Sequence, residues 1–342
     1  MRLPHPVHVP HWLLACVIAA SFGAAAAQPS SSTPQLPDRQ QQPPSRQMPS
    51  YRVGIDLVSL AVTVTDGSGH YVGNLAENDF SVFEDGVKQA VSFFDHSNAP
   101  VALALLLDTS ASMEDKLAIV QDAASGFAKR MRSQDLAEVV SFDTHVQILQ
   151  PFTNDASLLE KAIRGTMAEG STSLYNAIYI SLQEMRKVRA KTPGEIRRQA
   201  IVVLSDGEDT SSLLSFDEVL DLARRSETAI YAIALESQKD AHDTSALRRS
   251  LGLDKHEEFN EADYVLRELT QQTGGRVFRP TRVGDLPAIY SQVSDELASQ
   301  YLLGYTSTNP LRDGSWRRLV VRVAQPGVVA RTKQGYFAPT GK

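Results

Sequence analysis

The sequence predicts an α/β fold built on a doubly wound, mostly parallel sheet flanked by helices, with an accessory β-sandwich formed by the N- and C-terminal strands. Three observations predict it. The continuous apolar runs Val101 to Leu107, Ala200 to Leu204 and Ile230 to Leu235 have the composition of strands buried on both faces of a parallel sheet. Segments between and after them, such as Leu117, Val120, Ala124, Phe127 and Met131, carry apolar residues at three- and four-residue spacing, the period of helices packed on a sheet. At both ends the pattern changes to apolar-polar alternation broken by Gly-containing turns, which marks antiparallel strands.

Taken in order, residues 1–27 have the features of an export signal: Arg2, an apolar run from Trp12 to Phe22, and the small residues Ala24 to Ala27 before Gln28. The run is shorter than the roughly 20 apolar residues that span a bilayer, so cleavage near Ala27 and no stable membrane span afterwards are the expectation. Cys16, the single cysteine, lies inside this segment, which leaves no disulfide or thiol chemistry for the rest. Residues 28–50 are rich in Pro, Gln and Ser and bury too little to fold, so they read as a linker.

Residues 51–98 form a β-strand unit: Leu57 to Val64 alternates, Asp66 to Gly69 turns, and Phe80 to Phe83 with Val87 to Phe94 reads as a hairpin around Glu84-Asp85-Gly86. The α/β domain occupies residues 99–300. Its expected strands also include Val139 to Phe142 and, antiparallel to it, Val146 to Leu149, with an edge strand at Gly275 to Phe278. Its later helices are Leu174 to Val188, Phe216 to Ala223 capped by Ser215, and those over 263–272 and 285–300, while Glu236 to Glu261 is a charged surface excursion. Residues 301–342 return to strands, expected to pack with 51–98. The formal net charge of −6, with no clustered basic face, argues against nucleic-acid binding.

In an open parallel sheet, ligands sit beyond the carboxyl ends of the strands where the winding reverses. Asp108 follows the first buried strand at that edge, and Ser110 and Ser112 place two hydroxyls beside it. Small hard cations such as Mg²⁺ take oxygen ligands and keep several waters, so a carboxylate with a few hydroxyls suits them. Serines there also cap helices, which is the competing structural role.

Asp108-Thr109-Ser110-Ala111-Ser112 resembles the Asp-x-Ser-x-Ser signature of the metal-ion-dependent adhesion site of von Willebrand factor A-type domains. Gly170 to Ala177 resembles that family's second loop and Leu204-Ser205-Asp206-Gly207 its third. The resemblance covers Pro100 to about Gln300 and implies a metal held by Asp108, Ser110, Ser112, Thr172 and Asp206, with Asp206 acting through water. It implies Mg²⁺, with Mn²⁺ or Ca²⁺ as substitutes, and a partner protein whose acidic side chain completes the metal's shell. Asp79-Phe80, Glu84-Asp85-Gly86 and Gly335-Tyr336-Phe337 are similar to flanking strands of bacterial secreted A-domain proteins. Met113-Glu114-Asp115 resembles the adjacent metal site of integrin β chains, but Lys116 departs from that pattern.

Enzymatic readings lack support in the residues. A phosphotransferase on such a sheet needs a second carboxylate two residues after the first, and that position is Ser110. No phosphate loop, nucleophile elbow or paired-histidine zinc helix is present, and His242 with Asp243 and His256 with Glu257 read as solvated loops. The expected function is therefore that of an exported, periplasmic or secreted, non-enzymatic protein that binds a partner through its metal. The alternatives are an envelope scaffold whose metal only stabilises loops and, behind it, a metal-dependent hydrolase.

Overall fold

The computed structural model describes residues 57–96, 99–188, 197–206, 208–235 and 261–341. The leader expected over 1–27, the linker over 28–50 and nearly all of the charged excursion from Glu236, with His242 and His256, lie outside the described residues. Those that are described belong to one compact unit.

The chain enters through β1 (Leu57–Asp66), β2 (Phe80–Glu84), β3 (Val87–Gln89) and β4 (Val91–Asp95). It then builds β5 (Val101–Asp108), α1 (Leu117–Ala128), β6 (Leu136–Phe142), β7 (Val146–Thr153), α2 (Ala156–Arg164) and α3 (Leu174–Met185). Next come β8 (Arg198–Ser205), α4 (Phe216–Arg224), β9 (Thr228–Ala234), α5 (Glu261–Thr273), β10 (Val277–Phe278) and α6 (Leu286–Ser299). The strands β11 (Tyr301–Thr306), β12 (Trp316–Val323), β13 (Val328–Arg331) and β14 (Gly335–Phe337) complete it.

The central sheet has the order β10-β9-β8-β5-β6-β7, parallel except for β7. Alternation along β5 sends Leu103, Leu105 and Leu107 to a core shared with α1 and α6, and Ala102, Ala104 and Leu106 to one shared with α3, α4 and α5. Both faces are covered, which is why the strand is apolar throughout; each Leu or Val buried there contributes about 1.5–3 kcal/mol. Local chemistry sets the helix starts. The Asp155 carboxylate accepts from the backbone of Ser157 and Leu158 to open α2, and Ser215 with Glu218 forms a reciprocal cap on α4.

The terminal strands form two four-stranded sheets, β13-β1-β11-β4 and β14-β12-β2-β3, packed over a core of Val58, Leu60, Val62, Phe80, Val82, Tyr301, Leu303, Tyr305 and Leu319. Each sheet draws strands from both ends of the chain, so the α/β domain is inserted between them. The expected second hairpin is corrected in one respect. Val87 to Phe94 is two strands, β3 pairing with β2 and β4 crossing to pair with β11 in the opposing sheet. Glu84, expected in a turn, ends β2 inside the core, where it pairs with Arg317 at 3.1 Å and accepts from Tyr305, Ser307 and Tyr336 hydroxyls. Burial pushes its carboxyl up, but those hydrogen bonds and the Arg317 charge outweigh it and hold the group below the usual range.

The sandwich is fastened to the α/β domain through Glu296 on α6. That fully buried carboxylate is paired with Arg331 of β13 and with Arg276 at 3.3 Å, and accepts from the Tyr71 hydroxyl at 3.2 Å.

Candidate metal centre

The strand order reverses at β5, which lies between β8 and β6, so the crevice of the sheet opens beyond the carboxyl ends of β5 and β8. Leu107 pairs with Leu204, which puts Asp108 beside Ser205 and Asp206 one residue further out. Asp108 is fully buried there. Its Oδ2 accepts from the Ser205 hydroxyl at 2.6 Å and its Oδ1 from the Ser110 backbone N–H at 2.9 Å. Burial is the largest influence on this carboxyl; hydrogen bonds from Ser110 and Ser205 oppose it, the nearby Asp206 charge adds to it, and the group rests at about 6.

The Ser110 and Ser112 hydroxyls lie 3.1 Å apart. Ser110 precedes a short 3-10 turn, Ala111–Met113, yet its side chain makes no cap, and α1 starts after Lys116 without a side-chain cap either. The capping role that competes with ligation in the sequence is therefore not what these serines do. Two backbone bonds bring the second loop alongside: Ala111 N–H donates to the Gly170 carbonyl at 3.1 Å and Glu169 N–H to that of Thr109 at 2.8 Å. Gly170 has φ +72°, and a Cβ there would lie 2.5 Å from the Thr144 Oγ1, so the loop needs a glycine.

Thr172 is buried and tied to the third loop through its backbone. Its N–H donates to the Thr210 hydroxyl at 2.9 Å, and its carbonyl accepts from the backbone N–H groups of Thr210 and Ser211. The next helix, α3, is preceded by Ser173, whose hydroxyl donates to the Asp143 carbonyl, so neither residue caps with its side chain. Asp206 is engaged by a residue that the sequence pattern marks only as a departure. Lys116 Nζ lies 3.3 Å from its Oδ2, with the two side chains 7% and 8% exposed.

All five expected residues thus fall on three loops at one sheet edge, joined by hydrogen bonds between those loops. Ser205, Lys116 and Gly170 belong to the same assembly. Ser205 adjoins Asp206 in the third motif, and a lysine closely following Asp-x-Ser-x-Ser is a charge in need of a partner. Asp209, on the same loop as Asp206, accepts from the Tyr175 N–H and the Ser212 hydroxyl and fastens the third loop to α3.

Two carboxylates and three hydroxyls make a hard oxygen donor set that fits a small divalent ion better than zinc, and no three Asp, Glu, His or Cys side chains gather into a metal-binding cluster among the described residues. The serine hydroxyls, unused as caps, fit such an ion.

This sheet and this winding define a doubly wound α/β domain with three loops gathered at its crevice, and comparison places it in a family. The sequence profile of the von Willebrand factor type A domain matches residues 102–282, and the chain belongs to that family. Domains of this family generally serve protein–protein interaction and not catalysis. An uncharacterized protein of Borreliella burgdorferi is 26% identical over 193 residues, a match spanning 53% of this chain and 54%, about half, of that relative. Among solved structures, a von Willebrand factor type A protein from Catenulispora acidiphila is 10% identical with TM-score 0.46, covering 85% of this chain and 76% of that one. Proximal thread matrix protein 1 of the mussel byssus, solved with a zinc-occupied adhesion site, is 13% identical with TM-score 0.44 over 63% and 49% of the two chains. Among the described residues no helix is long and apolar enough to cross a membrane.

Proposed function

We propose that this chain is an exported, non-enzymatic A-domain protein that binds an acidic side chain of a partner protein through a divalent ion held by Asp108, Ser110, Ser112, Thr172 and Asp206. The observation that carries the reading is the hold on Asp108: a buried carboxylate oriented by Ser205 and Ser110 at the crevice of the sheet, beside two serine hydroxyls that cap nothing. Mg²⁺ or Mn²⁺ suits that donor set, and the bound ion supplies a Lewis-acidic position for a carboxylate. This chain's own part is to orient the oxygens and to limit anionic ligands, so that the centre keeps affinity for an anion.

The surroundings favour a protein ligand. Met167, on the loop leading to Thr172, is 74% exposed, and Leu213, on the loop after Asp206, is 95% exposed. Exposed apolar side chains flanking a charged centre suit a partner surface with an acidic residue among apolar ones. Residues 1–27 and 28–50 would supply export and a tether, placing the domain in the periplasm or outside the cell.

One observation favours the scaffold reading instead: the buried Lys116–Asp206 pair ties the first loop to the third, as a purely structural centre would. Calorimetric titration of Mg²⁺ or Mn²⁺ into the wild type and Asp108→Ala, followed by capture of partners from the native source with and without chelator, separates the two. Binding of the metal that is lost in Asp108→Ala, with partners released by chelator, supports adhesion. Metal binding with partners retained in chelator supports the scaffold.

A further inference from the structure

Lys116 is held where it is by the backbone. Its N–H donates to the Met113 carbonyl at 2.9 Å, and its own carbonyl accepts from Ile119 and Val120, so the residue is locked between the 3-10 turn and α1. From there the side chain reaches Asp206 on the far loop, nearly excluded from solvent. Lysine is rarely buried unless paired. The two carboxylates of the centre are accordingly treated differently, Asp108 by neutral donors and Asp206 by a full positive charge.

Among the described residues at the centre, the ionised Asp108 and Asp206 carboxylates and the Lys116 ammonium sum to one net negative charge. A divalent ion takes it to one net positive charge, and an incoming carboxylate restores neutrality. We propose that Lys116 is a resident counter-cation that weakens the binding of a metal alone and couples metal and partner carboxylate, so that each is bound tightly only with the other. The inference rests on the metal reading given above. Its physical basis is repulsion between ammonium and metal across a largely buried site, relieved when an anion arrives, and binding linkage makes the coupling reciprocal.

The test is titration of Mn²⁺ by calorimetry, in chloride and in acetate of equal ionic strength, into the wild type, Lys116→Met, Lys116→Arg and Asp108→Ala. Acetate is expected to tighten Mn²⁺ binding to the wild type about fivefold or more, and Lys116→Met to tighten it about tenfold in chloride while reducing the acetate effect below about twofold. Lys116→Arg keeps the wild-type pattern. Equal or weaker Mn²⁺ binding in Lys116→Met, or an acetate effect that survives in it, overturns the proposal while leaving the metal site standing. Absence of any Mn²⁺ binding that Asp108→Ala removes overturns the metal reading itself and this inference with it. If Lys116→Met does not fold, Lys116→Gln, which keeps a donor toward Asp206 without the charge, is read by the same criteria, and a wild type indifferent to acetate overturns the proposal alone.

Discussion

The Ser205 hydroxyl donates to Asp108 Oδ2 at 2.6 Å across the pairing of the two central strands, with both residues fully buried. Strand register alone brings them together, since Leu107 pairs with Leu204 one step earlier. Ser205→Ala frees one oxygen of a buried carboxylate and removes its orientation. Groups that orient metal ligands are worth about 10–100-fold in affinity, so Mn²⁺ binding should weaken by about that factor, and the thermal midpoint of the metal-free protein should fall as expected for about 1–3 kcal/mol lost with the hydrogen bond to a buried carboxylate. Calorimetry and thermal melting on the same sample check it.

Gly170 has φ +72° and lies against Thr144. Gly170→Ala therefore meets both an unfavourable backbone region and a steric contact, and should lower stability by about 1–2 kcal/mol in urea denaturation. Because the Gly170 carbonyl receives the Ala111 N–H, the same variant should also weaken Mn²⁺ binding. Gly170→Ala in a Thr144→Ala background, where the hydroxyl oxygen that the new Cβ would meet is removed, should recover only part of the stability loss, because the positive φ remains and the Ser171 N–H loses its acceptor.

Glu138 on β6 is buried, and neither carboxyl oxygen has a hydrogen-bond partner among the described residues. Burial first, and then the Glu184 charge, push it up to about 8, against a smaller opposing effect of Lys187. The folded value lies above the unfolded one, so its contribution to stability is complete below the ordinary glutamate range and is lost as pH rises through about 8. The wild-type unfolding free energy from urea denaturation should fall between pH 5 and 9, by an amount on the order of 4 kcal/mol, and Glu138→Gln should flatten the profile. A profile unchanged by Glu138→Gln contradicts the assignment.

Arg317 is buried against Glu84 inside the sandwich. Arg317→Met leaves a buried carboxylate without its counter-charge and should cost about 3–5 kcal/mol by chemical denaturation. The double variant with Glu84→Gln should cost less than the sum of the two single changes, because the uncompensated charge is gone.

The legible parts of the fold are those where burial dictates composition. The runs 101–107 and 200–204 are apolar because both faces of the sheet are covered, and from them the parallel strands and the position of Asp108 follow. Elements defined by one face or by distant partners are harder to read. The α2 helix has only Leu159 and Ile163 buried, and goes unread although Asp155 is a good cap. The split of Val87 to Phe94 between two sheets follows from which strand each half meets, and those strands are more than 200 residues away for β4. Charges show the same limit. Lys116 reads as a deviation and Glu84 as a turn residue, because sequence displays a charge without the partner that explains it.

The most direct test of the metal centre is anomalous diffraction from crystals of this chain grown with Mn²⁺, wild type and Asp108→Ala side by side. The account predicts one strong peak within coordination distance of the Ser110, Ser112 and Thr172 hydroxyls and beside the Asp108 carboxylate, absent from the variant. A wild-type map with no peak among those four side chains at saturating Mn²⁺ contradicts it.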